Sequence, residues 1–119
     1  MPIGFFSLAG DTNIGVFIVA TDKFLISPLL LSERKTTKLA EALGLSRSVK
    51  ARVCGSKLLG VFVSANSKGI ILPELCTPNE VEELRRSLHV EVQTIPTKWT
   101  ALGNCVLVND FGGVVDRRI

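Results

Sequence analysis

A seven-residue stretch at residues 14–20, IGVFIVA, returns 45 positions later at residues 59–65 as LGVFVSA. The match continues without a gap, and ten of the thirty aligned pairs are identical, against about two expected by chance from ordinary composition. A third, shorter copy follows at an offset of 43, in residues 102–112. Internal periods of this length indicate a supersecondary unit that is used several times, because one unit alone cannot bury its apolar face.

Each copy predicts a strand, a polar turn and a returning strand. Residues 15–20 and 60–65 are apolar and rich in Val, Ile and Phe, as buried strands are. Asn, Asp and Gly in the turns tolerate the positive φ of tight hairpins, and Pro28 and Pro73 end the ladders. The predicted turns are 21–23, 66–69 and 109–112, the returning strands 24–27, 70–72 and 114–115, and the strands leading into the units 5–8, 49–53 and 90–95.

A helix follows the strands in the first two copies. Thr77 is the predicted N-cap, with Pro78 at the first helical position and Glu80 three residues after the cap. In the first copy Ser32 takes the capping place, and Gly44 is the predicted C-cap. The apolar faces are predicted at Val81, Leu84 and Leu88, and in the first copy at Leu39, Ala40 and Leu43.

The fold class is therefore α/β (α+β), in strand-strand-strand-helix units. A single domain is expected over residues 1–119, with units 1–45, 46–89 and 90–119 and no helix in the third. Because no helix covers it, the sheet face around Val106, Val108 and Val114 is expected to be either a binding interface or a surface prone to aggregation. A longer polypeptide or a second chain would complete it.

Composition excludes several classes of protein. With 46% hydrophobic and 21% charged residues and a mean hydropathy of +0.36, the chain is neither disordered nor of low complexity. Its apolar runs are too short for a membrane span, and no basic residue precedes the apolar start, so a cytoplasmic protein without a secretory signal is expected. The net charge of +3 comes from scattered residues, which favours solvated surface charge over a dedicated nucleic-acid binder.

The cysteines predict no disulfide framework and no metal site. There are three, Cys54, Cys76 and Cys105, with no CxxC motif, and His89 is the one histidine. Their apolar surroundings favour small buried side chains. No phosphate loop, Ser/His/Asp set or zinc-protease motif is present, so no cofactor is expected.

Several stretches together resemble translation initiation factor 6 of archaea and eukaryotes. They are Asn13-Ile14-Gly15, residues 64–73, residues 84–88, and residues 100–104 followed by Asn109-Asp110. The resemblance spans the whole chain, and it is most specific in the second unit and in residues 101–104.

The resemblance implies the pentein fold, a closed ring of five α/β units, of which this chain covers about two and a half. It also implies a ribosome anti-association factor, acting in translation initiation and large-subunit biogenesis. Such factors bind the intersubunit face of the large ribosomal subunit near the sarcin–ricin loop, contact mainly ribosomal protein with some rRNA, and block the small subunit sterically.

Matching the motifs position by position places the ribosome contacts on one rim, where each unit turns into its glycine-led strand. Lys57 could pair with a carboxylate or phosphate, and Asn104 offers a donor and an acceptor. The glycines either let a partner's backbone approach or serve only tight turns. The rim residues are Asn13, Gly15, Lys57, Gly60, Val61, Thr100, Gly103 and Asn104.

Two other functions remain open from the residues. Some pentein enzymes modify guanidines with a Cys nucleophile and a His, and Cys105 with His89 could form such a pair. Against this, Cys105 aligns with Phe17 and Phe62, which are predicted core positions. The other function is a scaffold that homodimerises through its third unit. Trp99 is either a half-buried anchor or an interface hot spot.

Overall fold

The computed structural model describes residues 4–119. The helices are α1 (Glu33–Leu43), α2 (Leu59–Phe62), α3 (Pro78–Leu88) and α4 (Leu102–Cys105), and a 3₁₀ turn spans Ile14–Val16. The strands are β1 (Val19–Ala20), β2 (Phe24–Pro28), β3 (Arg47–Ala51), β4 (Ser64–Asn66), β5 (Gly69–Pro73), β6 (Glu91–Ile95), β7 (Val106–Val108) and β8 (Gly113–Val115). The mixed α/β class is confirmed, whereas the five-unit ring and the count of units within it stay predictions.

The repeat in the sequence is a repeat of strand register. In the first sheet β1 is antiparallel to β2 and Val19 faces Ile26; in the second, β4 is antiparallel to β5 and Ser64 faces Ile71, 45 positions later. The hairpin of β7 and β8 keeps this register at the offset of 43. The hairpins and returning strands predicted from the sequence are therefore confirmed.

The strands predicted to lead into each unit complete the preceding sheet instead. β3 pairs in parallel with β2, and β6 pairs in parallel with β5. Each connection runs through a helix, α1 or α3, as a parallel pair requires. The expected strand over residues 5–8 was wrong, since Leu8 makes only an isolated bridge to Asp11.

The first half of each apolar run is helical rather than extended. Residues 14–16, 59–62 and 102–105 form short helical turns, and the strands begin only afterwards. The residues before these turns, Asn13, Leu58 and Ala101, have nearly the same φ and ψ. Strand propensity in Val and Phe is overridden here, because these turns pack against one another.

The hairpin turns use side chains rather than positive φ. Asn66 Oδ1 accepts hydrogen bonds from the amides of Lys68 and Gly69, and Asn109 Oδ1 accepts from those of Phe111 and Gly112. No residue in these turns has a positive φ, so the expected conformation was wrong although the residue types were right. Asn is favoured at the start of these turns because its side chain replaces the backbone carbonyl that closes an ordinary turn.

Both long helices begin at the predicted caps, and α1 also ends at its predicted cap. Ser32 Oγ accepts from the third helical amide of α1, and Gly44 ends that helix with φ +71°. Thr77 and Glu80 form a reciprocal capping box at the start of α3. Leu39 and Ala40 are buried as expected, but Leu43 is 49% exposed, because it sits at the last turn, at the margin of the sheet.

Cys54 and Cys76 form a disulfide, which corrects the prediction that all cysteines are unpaired. Cys105 is free and half-buried, at the end of α4 rather than within a strand. The bond joins the loop after β3 to the residue before the cap of α3. Spacing along the chain gave no sign of it, because the fold alone brings the two sulfurs together.

The main core lies between the second sheet, α3 and the buried face of the first sheet. The hairpin of β7 and β8 contributes Val106 to the interior but leaves most of its apolar side chains in solvent. The exposed ones are Leu107, Phe111, Val114 and Val115. Among the described residues, Val106 is therefore buried against the expectation, and the absence of a third helix stays a prediction. Within residues 4–119, no helix has the length and apolar content needed to cross a membrane.

Candidate functional site

The three short helical turns pack side by side in a row, and the rim predicted to bind the ribosome follows this row. The 3₁₀ turn contacts α2, and α2 contacts α4. We call residues 12–17, 57–62 and 100–105 the turn row. Of the eight predicted rim residues, five lie in the helical turns themselves and three lie one or two residues before them. The five are Gly15, Gly60, Val61, Gly103 and Asn104, and the three are Asn13, Lys57 and Thr100.

The glycines let neighbouring turns approach. A Cβ on Gly60 would collide with the carbonyl oxygen of Gly15, and a Cβ on Gly103 would collide with that of Gly60. Gly60 and Gly103 therefore serve close packing within the chain, which neither alternative from the sequence foresaw. Around Gly15 a Cβ would meet nothing within 4 Å, so this glycine faces open space.

Beyond the glycines, polar contacts join the second and third copies. The Ser64 hydroxyl donates to the carbonyl of Val106 at 3.3 Å, and the amide of Ser67 donates to the Asp110 carboxylate at 2.9 Å. The Ser67 hydroxyl also donates to that carboxylate. The hydroxyl and then the amide of Ser67 lower the pKa of Asp110 below its ordinary value. The carboxylate thereby holds the two hairpin ends together.

Lys57 and Asn13 are exposed, but each is oriented by its own chain. The Lys57 ammonium lies 5.9 Å from the ring centroid of buried Phe17, a cation–π arrangement. No carboxylate among residues 4–119 forms a salt bridge with it. The amide side chain of Asn13 donates to Asp11 Oδ1 at 3.2 Å, as does its backbone amide at 2.8 Å. Lys57 thus presents a positive charge that a partner can use.

The third turn presents Asn104 to solvent. Its backbone amide donates to the carbonyl of Ala101, and its side chain has no hydrogen bond to any residue that the structure describes. Thr100 and Val61 are half-buried, so they present less surface than Asn104 does. The polar groups of the row free to bind a partner are therefore mainly Lys57 and Asn104.

A groove extends the row beside Lys57. It is lined by Ala51, Arg52 and Gly55 and by the exposed side chains of Leu29 and Leu30, and it holds about 510 Å³. Leucines flanked by two cations can take a protein segment with apolar and acidic residues. Sequence reasoning missed this groove because its two walls lie more than twenty residues apart.

Trp99 sits at the other end of the row and was only half understood from the sequence. Its Nε1–H donates to the Arg118 carbonyl at 3.1 Å, and the guanidinium of Arg118 lies 5.1 Å from the ring centroid. Lys98 lies over the same ring at 5.2 Å. Asp116 pairs with Arg118 at 2.5 Å, and this side-chain contact lowers the pKa of Asp116. Trp99 therefore anchors the segment around Arg118, and the residue stays 37% exposed.

The residues suggested for catalysis are not brought into a site. His89 caps the end of α3 with φ +54° and is exposed. Cys105 ends α4, and no hydrogen bond joins it to His89 among the contacts of residues 4–119. Over the same range, no three acidic, Cys or His side chains lie close enough together to hold a metal ion.

Comparison with known proteins gives a consistent result. A profile of the eIF-6 family matches residues 3–119. Translation initiation factor 6 of Aeropyrum pernix is 41% identical over 107 residues, 87% of this chain and 46% of that protein. The factors of Nitrosopumilus maritimus and Methanopyrus kandleri are 36% and 35% identical, over 97% and 92% of this chain and 52% and 48% of theirs. The chain spans about half the length of these curated relatives.

Proposed function

The chain belongs to the eIF-6 family, and on that premise we propose that it acts in translation initiation as a ribosome anti-association factor. It binds the intersubunit face of the large ribosomal subunit, near the sarcin–ricin loop, mainly through ribosomal protein and with some contact to rRNA. Bound there, in the cytoplasm, it blocks the small subunit sterically and takes part in large-subunit biogenesis. No chemical step is involved.

The observation that carries the proposal is the turn row. Three equivalent turns, locked together by glycine packing, form one rigid edge, and a preformed edge loses little entropy on binding. Among residues 4–119, the Lys57 ammonium forms no salt bridge and the Asn104 side chain no hydrogen bond, so both can bind a partner on that edge. The groove with Leu29 and Leu30 adds apolar area next to Lys57. A surface of this kind suits an acidic or mixed protein face better than bare RNA.

The row also suits a steric blocker. The described chain measures 36 × 29 × 28 Å. A body of this size on the joining face would occupy space that the small subunit needs. The basic excess of +3 assists approach to an anionic particle without requiring specific contacts to bases.

The test is co-sedimentation with purified large ribosomal subunits, followed by addition of small subunits. We expect the chain to move with the large subunit and the yield of joined ribosomes to fall. A chain that stays at the top of the gradient while joining proceeds normally contradicts the proposal. Repeating the run at two salt concentrations separates specific binding from general attraction to RNA, because the latter falls steeply with salt.

A second candidate is a homodimeric scaffold, favoured by the exposed hairpin of β7 and β8. Leu107, Phe111 and Val114 are each more than 70% exposed on it. The edges of β2 and β5 that correspond to the outer edge of β8 are filled by β3 and β6. A second copy of the chain would cover this hairpin. Sedimentation equilibrium decides: a monomer at micromolar concentration eliminates the scaffold.

A further inference from the structure

Two β-turns at equivalent places in the repeat have the same backbone. Residues 8–11 and 53–56 lie 45 positions apart, and each turn is closed by two reciprocal backbone hydrogen bonds between its first and last residues. In both turns the two central residues have positive φ, the conformation of a type I′ turn. The pair therefore shows one local structure in two settings within a single chain.

The side chains that hold the two turns differ. In the first, Ala9 lies at the tip, and Leu31 packs with Leu8 in a small apolar cluster. In the second, Cys54 takes the place of Ala9 and Cys76 takes the place of Leu31, and the two form a disulfide. Because the first turn forms without a covalent bond, the backbone does not need the disulfide. The two cysteines call for a role of another kind.

We propose that the Cys54–Cys76 disulfide is a reversible redox clamp on residues 54–58, the segment that carries Lys57 into the turn row. In the oxidised chain the segment is tied to α3, and in the reduced chain it is free to open. The effect on ribosome binding rests on the function proposed above, whereas the clamp itself does not.

The two ends of the disulfide differ in a way that suits a clamp. Cys76 is buried and adjoins Thr77, the cap of α3, so this end is fixed. Cys54 is half-buried, and its neighbour in the chain, Gly55, lines an open groove of about 370 Å³ together with Glu80. A small dithiol can reach this end. Without the disulfide, the polar contacts that still tie the segment to α3, among residues 4–119, run from the backbone at Gly55 and Cys54 to the Glu80 carboxylate, and the bond from the Gly55 amide measures 2.9 Å.

The chemistry is thiol–disulfide exchange with a dithiol. One thiolate of the dithiol attacks the Cys54 sulfur, the bond to Cys76 breaks, and Cys76 leaves as a thiolate that takes up a proton. The second thiol of the reductant then attacks the mixed disulfide and releases Cys54. The protein gains two electrons and two protons, and the dithiol becomes a disulfide. The same exchange with an oxidised dithiol reforms the clamp.

Alkylation and hydrogen exchange test the clamp on the full chain without ribosomes. After equilibration with oxidised dithiothreitol we expect one alkylated cysteine, Cys105, and after reduced dithiothreitol all three. Reduction should speed amide exchange in residues 53–58 at least about tenfold, while the equivalent turn at residues 8–11 keeps its rate. Three reactive thiols in the oxidised sample, or equal exchange rates in both states, overturn the proposal.

The repeat supplies its own control variant. The double substitution C54A/C76L transplants the Ala and Leu of the first turn into the second, and it should make exchange in residues 53–58 independent of dithiothreitol. C105S, which leaves the pair intact, should respond as the unmodified chain does. Persistent redox dependence in the double variant overturns the proposal. If the double variant fails to fold, the comparison of oxidised and reduced C105S still decides.

Ribosome binding is then measured separately with the oxidised and the reduced form of the unmodified chain. We expect weaker binding of the reduced form by several-fold, because an ordered Lys57 segment costs less entropy on binding. If neither form binds, the proposed function is wrong. Hydrogen exchange in residues 53–58 then still decides whether the disulfide acts as a clamp. If both forms bind equally although exchange differs, the link between the clamp and the turn row is overturned.

Discussion

Gly103 packs its Cα directly against the carbonyl oxygen of Gly60, and Gly60 packs in the same way against Gly15. Through this contact the repeated turns stack on one another, because the glycine of each turn packs against the glycine carbonyl of the turn before it. The eight residues predicted for ribosome binding lie along the stack. Its rigidity should therefore govern both stability and binding.

Gly103→Ala should destabilise the chain by about 2 kcal/mol, since overpacking a close contact forces the backbones apart. In an ordinary helix the same change stabilises by roughly 0.5–1 kcal/mol, so the sign of the effect tests the contact. Denaturant unfolding followed by circular dichroism gives the free energy of unfolding.

Gly15→Ala is the matched control, because a Cβ there meets nothing within 4 Å. We expect a change within about 0.5 kcal/mol, as for other surface substitutions. Equal losses at Gly15 and Gly103 would show that backbone conformation rather than packing sets the glycine requirement.

Glu80 should make stability depend on acid pH. Burial alone would raise its pKa, but the amides of Gly55 and Thr77 and the Thr77 hydroxyl donate to its carboxylate and lower the pKa overall. A lowered folded pKa means that the contribution is present above the unfolded pKa, about 4.5, and is lost as pH falls through the folded value.

Glu80→Gln should therefore cost about 1 kcal/mol at pH 7, the usual size of a capping contact, and the difference from the unmodified chain should shrink below pH 4. Thermal unfolding across pH 2–7 measures it. Glu83→Gln, on the exposed side of the same helix, should leave the profile unchanged. A difference in stability between Glu80→Gln and the unmodified chain that stays constant across the whole pH range would contradict the role given to the Glu80 carboxylate.

Asp110 should titrate below an ordinary aspartate, because Ser67 donates to it from both hydroxyl and amide. Ser67→Ala removes the hydroxyl, and the pKa of Asp110 should move back toward the ordinary value, about 3.9. Carboxyl carbon chemical shifts against pH report the titration. The lowered pKa means that the hairpin contact holds above that range and is lost as pH falls through the folded value. An unchanged pKa in Ser67→Ala would show that the hydroxyl makes no such bond.

Lys57→Ala should weaken binding to the large ribosomal subunit about tenfold, the loss of one hydrogen bond from a charged donor. Lys35→Ala, an exposed lysine on α1, controls for net charge and should change affinity little. Titration on a gradient, or by fluorescence anisotropy, compares the two. Equal weakening would assign the effect to overall charge.

Local signals in the sequence were reliable. The caps at Ser32, Thr77 and Gly44 and the positions of the hairpin turns were predicted correctly, although the backbone conformation of the turns was not, because a cap or a turn depends on residues within three or four positions. The helical turn at residues 59–62 was wrongly predicted as a strand, because that prediction also used only local residue preferences. Val and Phe favour strands locally, and only the neighbouring turns make a helical conformation better there.

Contacts between residues far apart in the chain could not be predicted from the sequence. Cys54 and Cys76 lie 22 positions apart without a motif, and Trp99 meets the Arg118 carbonyl across 19 positions. The pairing of β3 with β2 was also missed, since a parallel partner is chosen by the helix between the strands and not by the strand itself.

The sequence by itself determined that this protein is built from repeated α/β copies with capped helices and polar hairpins, since periodicity and turn chemistry act over short distances. The rim residues proposed for ribosome binding come from matched motifs and stay predictions. Only the tertiary structure decided that three glycine turns stack, that Lys57 stands free over Phe17, and that two cysteines meet. Those features depend on how separate elements pack, which no single stretch of chain encodes.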